Sequence, residues 1–237
     1  MKSIKFFVMS AIVALTVASC ISSPKVNPQP KGITAADVDT ASYTLGVNLA
    51  QMTEMYNLGD LDVAQIVKGY KDAVKGKDNF TNETVGMNMN NFMMKRQNVL
   101  SELNATEGAA FLAKNKEQEG VQVTQSGLQY KIVRKGNGTF PTAVDQVECR
   151  YEGTTLDGKV FDTTYEEDIT RTFELARVIA GWTEGIQLID EGGEIILWIP
   201  SELAYGERGP MGPNQVLKFR VELVKVIAAE VENRENK

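Results

Sequence analysis

Residues 178–206, VIAGWTEGIQLIDEGGEIILWIPSELAYG, carry the pattern that decides the fold. The stretch holds both tryptophans of the chain, Trp182 and Trp198, and its run of branched aliphatic residues is typical of a buried strand. Histidine is absent from all 237 residues. The best organised segment therefore offers aromatic and apolar surfaces, and few groups that could act as an acid, a base or a nucleophile.

The sequence around this stretch alternates apolar and polar residues, which is typical of strands. The alternating blocks are VQVTQSGLQYKIVRKG, VDQVECRYEGTTLDGKVFDTTY, RTFEL, GEIILWIPS and VLKFRVELVKVI. Asp157 and Gly158 separate two of these runs and predict a hairpin. Only LARVIAGWTEGIQLI breaks the alternation, as a loop and one short helix. We therefore expect an α+β fold over residues 120–230, in which an antiparallel sheet wraps around a short helix and Trp198 packs in the sheet.

Helical periodicity characterises residues 37–119, which precede the alternating region. Apolar residues three or four positions apart predict two short amphipathic helices, one on each side of Gly59. A third helix begins near Asn82 and continues toward Glu119, with only Gly108 interrupting the pattern. The chain is thus expected to begin with an all-α domain whose third helix is long.

The apolar face of the third helix is larger than two short helices can cover. Either the C-terminal domain or a second copy of the chain must therefore cover it. The face includes Met87, Met89, Met93 and Met94, which suit an adaptable interface, although methionines at helical spacing more often form plain core. Residues 37–119 are predicted to be a dimerisation domain, and the chain is expected to form a homodimer.

The first 20 residues, MKSIKFFVMSAIVALTVASC, predict an export signal. Lys2 and Lys5 precede an apolar run of about a dozen residues, too short to span a bilayer. Small residues then lead to Cys20, which resembles the lipobox of bacterial lipoproteins and predicts lipidation of Cys20; an ordinary signal peptide with a chance cysteine is the alternative. Residues 21–36 predict a flexible tether and residues 231–237 a polar tail.

Charge and cysteine content exclude several classes of function. The formal net charge is −6, and loss of Lys2 and Lys5 with the signal makes the chain more acidic, which argues against a nucleic-acid partner. If Cys20 is acylated, only Cys149 remains, so no disulfide can form within one chain. Cys149 alternates with apolar neighbours and is expected to be buried on a strand. We expect neither a bound metal nor a cofactor, because no cluster of cysteine and histidine exists.

The alternating region resembles FKBP-type peptidyl-prolyl cis-trans isomerases over residues 121–228. The blocks SGLQYKIV, YEGTTLDGKVFDTTY, FEL, VIAGWTEGIQLI, IPSELAYG and FRVELVKV occur in the order of that family. VIAGWTEG together with ELAYG is far more informative than any single short motif. The helical segment, through ASYTLGVNLA and FLAKNKEQEGVQVTQSGLQY, resembles the N-terminal region of secreted isomerases of the macrophage infectivity potentiator type.

The resemblance implies an apolar catalytic pocket with few polar groups. Trp182 is expected to form its floor, and Asp162 lies at its edge. In the family, the tyrosine hydroxyl and the backbone near the VI pair hold substrate carbonyls, which here implies Tyr205 and Ile179. The walls are expected to be Tyr151, Phe161, Phe173, Val178, Ile179 and Phe219. Any one of these aromatics alone would be read as core, and their joint occurrence in family order favours a pocket.

Rotation about an Xaa-Pro bond needs no histidine, because no bond to a heavy atom breaks and no proton needs to move. The absence of histidine is therefore compatible with this activity.

One departure from the family lies after LAYG. The sequence ERGPMGPNQVL, from Glu207, places Met211 and Gly212 where an Ile and a Pro are common, which alters the loop over the pocket through Asn214. Substrate preference and the affinity for macrolide inhibitors depend on that loop.

The expected partners are proline-containing unfolded or exported polypeptides, and the resemblance also makes macrolide inhibitors possible ligands. The expected location is a bacterial cell envelope, with a lipid anchor at Cys20, most naturally in an outer membrane, and with the catalytic domain in the periplasm or at the cell surface. The sequence leaves two non-catalytic alternatives open: a chaperone that binds unfolded chains, and a scaffold that uses the pocket only for binding.

Overall fold

The computed structural model describes residues 29–229, and the chain divides into two compact units between Asn91 and Phe92. The predicted signal with Cys20, the first half of the tether and the polar tail lie outside the described residues. The helices are α1 (Ala35–Met55), α2 (Val63–Val74), α3 (Asn82–Asn115) and α4 (Ala180–Ile186). The strands are β1 (Gln122–Val123), β2 (Gln129–Arg134), β3 (Gln146–Thr155), β4 (Val160–Thr163), β5 (Arg171–Glu174), β6 (Glu194–Ile199) and β7 (Leu217–Ile227).

The helical unit begins with a well-capped helix. The Thr34 hydroxyl accepts a hydrogen bond from the Asp37 backbone N–H, and the Asp37 carboxylate accepts one from the Thr34 N–H. The prediction of two short helices is wrong for α1, which has 21 residues, because helical periodicity continues through its whole apolar face. α2 has 12 residues and is capped by Asp62, whose carboxylate accepts hydrogen bonds from two backbone N–H groups.

The long third helix is confirmed, and it has 34 residues. It ends at Asn115 rather than Glu119, and Gly108 lies inside it as a buried helical residue. A Cβ atom on Gly108 would lie only 2.7 Å from Cγ2 of Val216, so glycine is needed there for close packing. The C-terminal part of α3, from Phe92 onward, belongs to the same compact unit as the sheet.

The strands of the described residues form one antiparallel sheet in the order β1-β2-β6-β7-β3-β4. β5 pairs with the first half of β3, on the edge where β4 pairs with its second half. The first alternating block splits into β1 and β2 because a turn intervenes, with Gly127 at a φ of 91°. The hairpin at Asp157 and Gly158 is confirmed, and Gly158 has a φ of 87°.

The core lies between the sheet and α4, as predicted for the α+β class, which is confirmed. Gly181 and Gly185 lie one helical turn apart and let α4 rest directly on β6. A Cβ atom would lie 2.4 Å from Ile199 at Gly181, and 2.6 Å from Leu197 at Gly185. This close approach buries Trp182, which is 3% exposed. Within residues 29–229, no helix is long and apolar enough to cross a membrane.

Candidate active site

An apolar pocket of about 310 Å³ opens between the sheet and the start of α4. The structure brings all nine sequence-predicted pocket residues together around it. Its lining residues are Tyr151, Phe161, Asp162, Phe173, Arg177, Val178, Ile179, Trp182, Tyr205 and Phe219. Arg177 is the one lining residue that the sequence did not predict, and its exposed side chain pairs with Glu174 at 2.9 Å.

Strands and helix ends contribute the pocket residues from different directions. Tyr151 lies on β3 and Phe219 lies on β7, and both are almost completely buried because alternate residues of these strands face the core. Ile179 is the N-cap of α4, and its carbonyl accepts hydrogen bonds from the N–H groups of Trp182 and Thr183 at 2.9 and 3.1 Å. The helix start therefore fixes the VI pair at the pocket rim.

The aromatic rings meet edge to face around Trp182. Its indole lies 5.2 Å from the rings of Tyr151 and Phe173 and 5.3 Å from that of Phe219, at interplanar angles of 71° to 89°. Phe161 completes the wall at 5.5 Å from Phe219. Edge-to-face pairs are favourable, so the rings hold one another in a fixed shape. The indole N–H of Trp182 is buried and has no hydrogen-bond partner within residues 29–229.

Gly153 leaves room for two of these rings. A Cβ atom at this position of β3 would lie 2.7 Å from Cζ of Phe161 and 2.7 Å from Cε1 of Phe219. Gly153 pairs with Phe219 across the β3–β7 ladder and with Asp162 across the β3–β4 ladder. The missing side chain thus lets β4 place Phe161 over the sheet and against Phe219.

A polar triad of Tyr151, Asp162 and Arg171 borders the apolar walls. The Tyr151 hydroxyl donates to one carboxylate oxygen of Asp162 at 2.5 Å. The Arg171 guanidinium donates to the same hydroxyl at 3.1 Å and to the other carboxylate oxygen at 3.2 Å. Sequence reasoning missed Arg171, although strand alternation places it on the same face of β5 as Phe173 and gives a signal that could have found it.

Two side chains of β3 have raised pKa values. Burial, followed by the hydrogen bond to Asp162, raises the pKa of Tyr151 to about 12. Burial raises the pKa of the Cys149 thiol to about 12. Cys149 is buried on β3, as predicted, and at neutral pH its thiol is protonated and inert. Trp198 packs in the sheet, also as predicted, and is 8% exposed.

Comparisons with known proteins agree with this geometry. Residues 137–224 match the family model described as FKBP-type peptidyl-prolyl cis-trans isomerase, and residues 38–132 match the domain amino terminal to it. A probable FKBP-type peptidyl-prolyl cis-trans isomerase FkpA of Neisseria meningitidis is 40% identical over 203 residues, which cover 80% of this chain and 75% of the relative. The chain belongs to the FKBP-type peptidyl-prolyl cis-trans isomerase family. It is an isomerase of Xaa-Pro peptide bonds, as the resemblance predicted.

Other relatives of this FKBP-type isomerase point the same way. The outer membrane protein MIP of Legionella longbeachae is 36% identical over 80% of this chain and 86% of its own length. The crystal structure of FkpA from Escherichia coli is similar in fold, with a TM-score of 0.62 and 33% identity over 81% of this chain and 98% of that chain. The family and the α+β fold with its helical N-terminal part are thus confirmed together.

Proposed function

We propose that the pocket catalyses Xaa-Pro rotation by enclosing the prolyl ring among aromatic walls while the preceding carbonyl turns. Amide resonance sets a barrier of roughly 18–20 kcal/mol, so the uncatalysed step takes tens to hundreds of seconds. Lowering that barrier by about 5–6 kcal/mol accelerates rotation about ten-thousandfold. A planar amide is more charge-separated than a twisted one, so a dry apolar pocket favours the twisted state relative to water.

Each lining group has a distinct role in this proposal. Trp182 forms the floor under the prolyl ring, and Tyr151, Phe161, Phe173, Val178, Ile179 and Phe219 form the walls. The Tyr205 hydroxyl and the Ile179 backbone N–H hold substrate carbonyls. Asp162, with both carboxylate oxygens engaged by Tyr151 and Arg171, orders the edge of the pocket and exchanges no proton.

The observation that carries the proposal is the cluster of edge-to-face aromatic rings, centred on Trp182, that lines one apolar pocket. The test is a protease-free turnover assay on a proline tetrapeptide with the mature chain. Phe161→Ala and Trp182→Ala open the pocket to water and should lose the most activity. Tyr205→Phe removes one neutral hydrogen bond and should lose about two- to tenfold, with Asp162→Asn in between.

A matched control keeps the test specific. Phe140 is 56% exposed and does not line the pocket, so Phe140→Ala should keep wild-type turnover. Phe161 is only partly buried, so Phe161→Ala should fold even if Trp182→Ala, which empties the core, does not. Equal turnover of Phe161→Ala and Phe140→Ala would show that the reaction takes place elsewhere.

The proposed substrates are proline-containing unfolded or exported polypeptides. The pocket walls are apolar and accept any prolyl ring. Tyr205 and Ile179 bind carbonyl groups of the substrate backbone, so they select for no particular side chain. Macrolide inhibitors would occupy the same pocket, and their affinity depends on the loop that carries Met211. Competition between a macrolide and the tetrapeptide would measure that affinity, and purely competitive inhibition is the expected result.

A homodimer is the assembly we propose for the helical unit. α1 and α2 contain no buried residue, and α1 exposes Tyr43, Leu45 and Met52 to solvent. Exposed apolar area of this extent is typical of an interface. Light scattering of the mature chain at micromolar concentration should give twice the chain mass, and a monomer would rule the dimer out. A linked pair of pockets raises the effective concentration of a client chain.

Lipidation at Cys20 is the proposed anchor to the membrane, in the envelope of a bacterium with an outer membrane. Small residues before Cys20 and the Pro-rich stretch after it support this proposal. Mass spectrometry of the mature chain should find an acyl mass on Cys20, and Cys20→Ala should block normal maturation. Identical processing of the variant, together with an unmodified wild-type chain, would contradict the anchor.

A chaperone activity is the second candidate, and the exposed methionines of α3 favour it. Met87, Met89 and Met94 are between 42% and 65% exposed, and flexible thioethers adapt to many partners. Suppression of aggregation by a turnover-deficient Phe161→Ala chain would support it. Loss of suppression in step with turnover would instead assign all assistance of folding to the isomerase pocket.

A further inference from the structure

The loop that follows Tyr205, residues 206–216, lies beside the pocket, and we call it the Tyr205 loop. A backbone hydrogen bond of 2.8 Å from the Asn214 N–H to the Gly206 carbonyl closes its base. Asn214 has a φ of 51°, a left-handed conformation that asparagine tolerates better than most residues. The closure joins the loop end directly to the residue after Tyr205.

The C-terminal part of α3 holds this loop at both ends. The Gln97 side chain donates to the Glu207 carbonyl at 3.0 Å, next to the start of the loop. The Asn104 side chain donates to the Pro213 carbonyl at 2.7 Å, near its end. The Asn214 side chain donates back to the Ser101 hydroxyl at 2.7 Å.

These helix residues form a single stripe. Residues 97, 101, 104 and 108 are separated by four, three and four positions, so they face the same side of α3. Gly108 ends the stripe, and its bare backbone lies so close to Val216 that a Cβ atom would be 2.7 Å from Cγ2 of Val216. The helix thus contacts the loop from Glu207 through Val216 with three polar side-chain contacts and one close packing contact.

Tyr205 depends on this loop for its position. Tyr205 is 46% exposed, and its hydroxyl has no hydrogen bond within the described part of the chain. The loop backbone approaches it closely: a Cβ atom added at Gly209 would lie only 3.1 Å from Cβ of Tyr205, and the neighbouring Gly206 carbonyl accepts the hydrogen bond from Asn214. The other pocket walls lie on strands, on α4 or in the two residues that lead directly into α4, Val178 and Ile179.

We propose that the α3 stripe Gln97–Ser101–Asn104–Gly108 positions the Tyr205 loop, and that these four are positioning residues for the isomerase. The inference rests on the proposed role of Tyr205 in holding a substrate carbonyl. A group that only holds a substrate carbonyl binds the ground state and the transition state alike. Loosening the loop therefore raises KM and leaves kcat nearly unchanged.

The experiment measures KM and kcat of the full mature chain on a proline tetrapeptide. Asn104→Ala and Ser101→Ala should each raise KM about threefold, and together up to about tenfold, with kcat within about twofold of wild type. Asn90→Ala, on an exposed position of the same helix, is the matched control and should leave KM unchanged. Unchanged KM in the double variant would overturn the proposal.

A glycine pair tests the packing end of the stripe. Gly108→Ala and Gly86→Ala make the same change in the same helix, but only Gly108 has a neighbour within 4 Å. Gly108→Ala should raise KM, whereas Gly86→Ala should not. If Gly108→Ala fails to fold, the Asn104 and Ser101 variants decide the question alone. Equal KM values for two folded glycine variants would count against the proposal.

The Tyr205→Ala background separates positioning from general stability. If the stripe acts through Tyr205, adding Asn104→Ala to Tyr205→Ala should change KM by less than about 1.5-fold, because the residue being positioned is already gone. A further threefold rise in that background would overturn the proposal. If Tyr205→Ala itself leaves KM at the wild-type value, the proposed role of Tyr205 fails, and that outcome differs from failure of the stripe.

Discussion

The two units of the chain bury their apolar residues to very different extents. In the unit that carries the sheet, Leu197, Ile195 and Val221 are completely buried. In the helical unit, Leu58 is the only large apolar residue among residues 29–91 that counts as buried. The sheet unit therefore completes its core within one chain, whereas the helical unit leaves its apolar faces exposed.

This difference shows what amphipathic periodicity does and does not determine. The helical pattern of residues 37–119 correctly indicates helices, and it leaves open what the apolar faces contact. In the sheet unit the packing partner is defined as well, because every strand pairs with a neighbour and the buried residues of β3, β6 and β7 form one core cluster with those of α4. A matched substitution in each unit can therefore measure the difference.

Leucine truncation should give the largest contrast. Leu197→Ala removes a fully buried side chain from β6 and should lower the free energy of unfolding by about 2–5 kcal/mol. Leu45→Ala removes a side chain that is 66% exposed and should change it by less than about 0.5 kcal/mol. Both tryptophans lie in the sheet unit, so tryptophan fluorescence during urea unfolding reports that unit directly.

Circular dichroism during the same urea unfolding is the control measurement. It reports mainly on α1, α2 and α3, because most helical residues lie there. Leu45→Ala should leave the fluorescence midpoint unchanged and weaken the proposed dimer in light scattering. An equal shift of the fluorescence midpoint by both variants would remove the contrast between the two units.

Glycine substitutions should give opposite signs in the two units. Gly181→Ala would place a Cβ atom 2.4 Å from the buried side chain of Ile199, and should lower the free energy of unfolding by about 1–3 kcal/mol. Gly46→Ala lies in α1 with nothing within 4 Å, and should stabilise the helix by about 0.5–1 kcal/mol. Thermal unfolding followed by circular dichroism measures both, and equal signs would contradict the packing of α4.

Much of the sheet unit could be predicted because its signals are local. Strand alternation, the Asp157–Gly158 turn and the position of Cys149 are each contained within a few residues, and the structure confirms them. The length of α1 and the separation of β1 from β2 were missed, since both depend on where a turn interrupts a continuous pattern. Gly108 interrupts the helical pattern of α3, and the reason for a glycine there, its close packing on Val216, cannot be read from periodicity.

The pocket was predictable as a set of residues, but its polar edge was not. The sequence motifs occur in the order typical of the family, and this order identifies the nine aromatic, aliphatic and acidic lining residues. The structure places all nine around one cavity. Arg171 and the α3 stripe were missed because their roles depend on contacts across long sequence separations. Arg171 reaches Tyr151 from 20 positions away, and Asn104 reaches Pro213 from 109 positions away.

Two ion pairs of similar length, one in each unit, should differ in the effect of removing them. Lys68 lies 3.0 Å from Asp72 on an exposed face of α2, and Lys68→Gln should change the free energy of unfolding by less than about 0.5 kcal/mol. Arg171 lies 3.2 Å from Asp162 at the pocket, and Arg171→Gln loosens both Asp162 and Tyr151. Its kcat/KM should fall about three- to tenfold. Wild-type kcat/KM in Arg171→Gln would show that the triad does not order the pocket.

The smallest expected effect is that of pH on turnover. The chain has no histidine, and the pKa values of Tyr151 and Cys149 are raised to about 12, so none of these groups titrates between about pH 5 and 9. Turnover should be flat over that range and show no appreciable solvent deuterium effect, because the proposed mechanism moves no proton.

The free energy of unfolding, unlike turnover, should depend on pH under alkaline conditions. Both groups have folded pKa values above their unfolded ones, so their contribution is complete below about pH 9 and is lost as pH rises toward about 12. Urea unfolding followed by tryptophan fluorescence should therefore show that the free energy of unfolding of the sheet unit falls above about pH 9. Turnover around neutral pH should stay constant. A bell-shaped rate profile centred near neutrality would require an acid or base in the chemistry, and would contradict a mechanism based on a dry, shaped pocket.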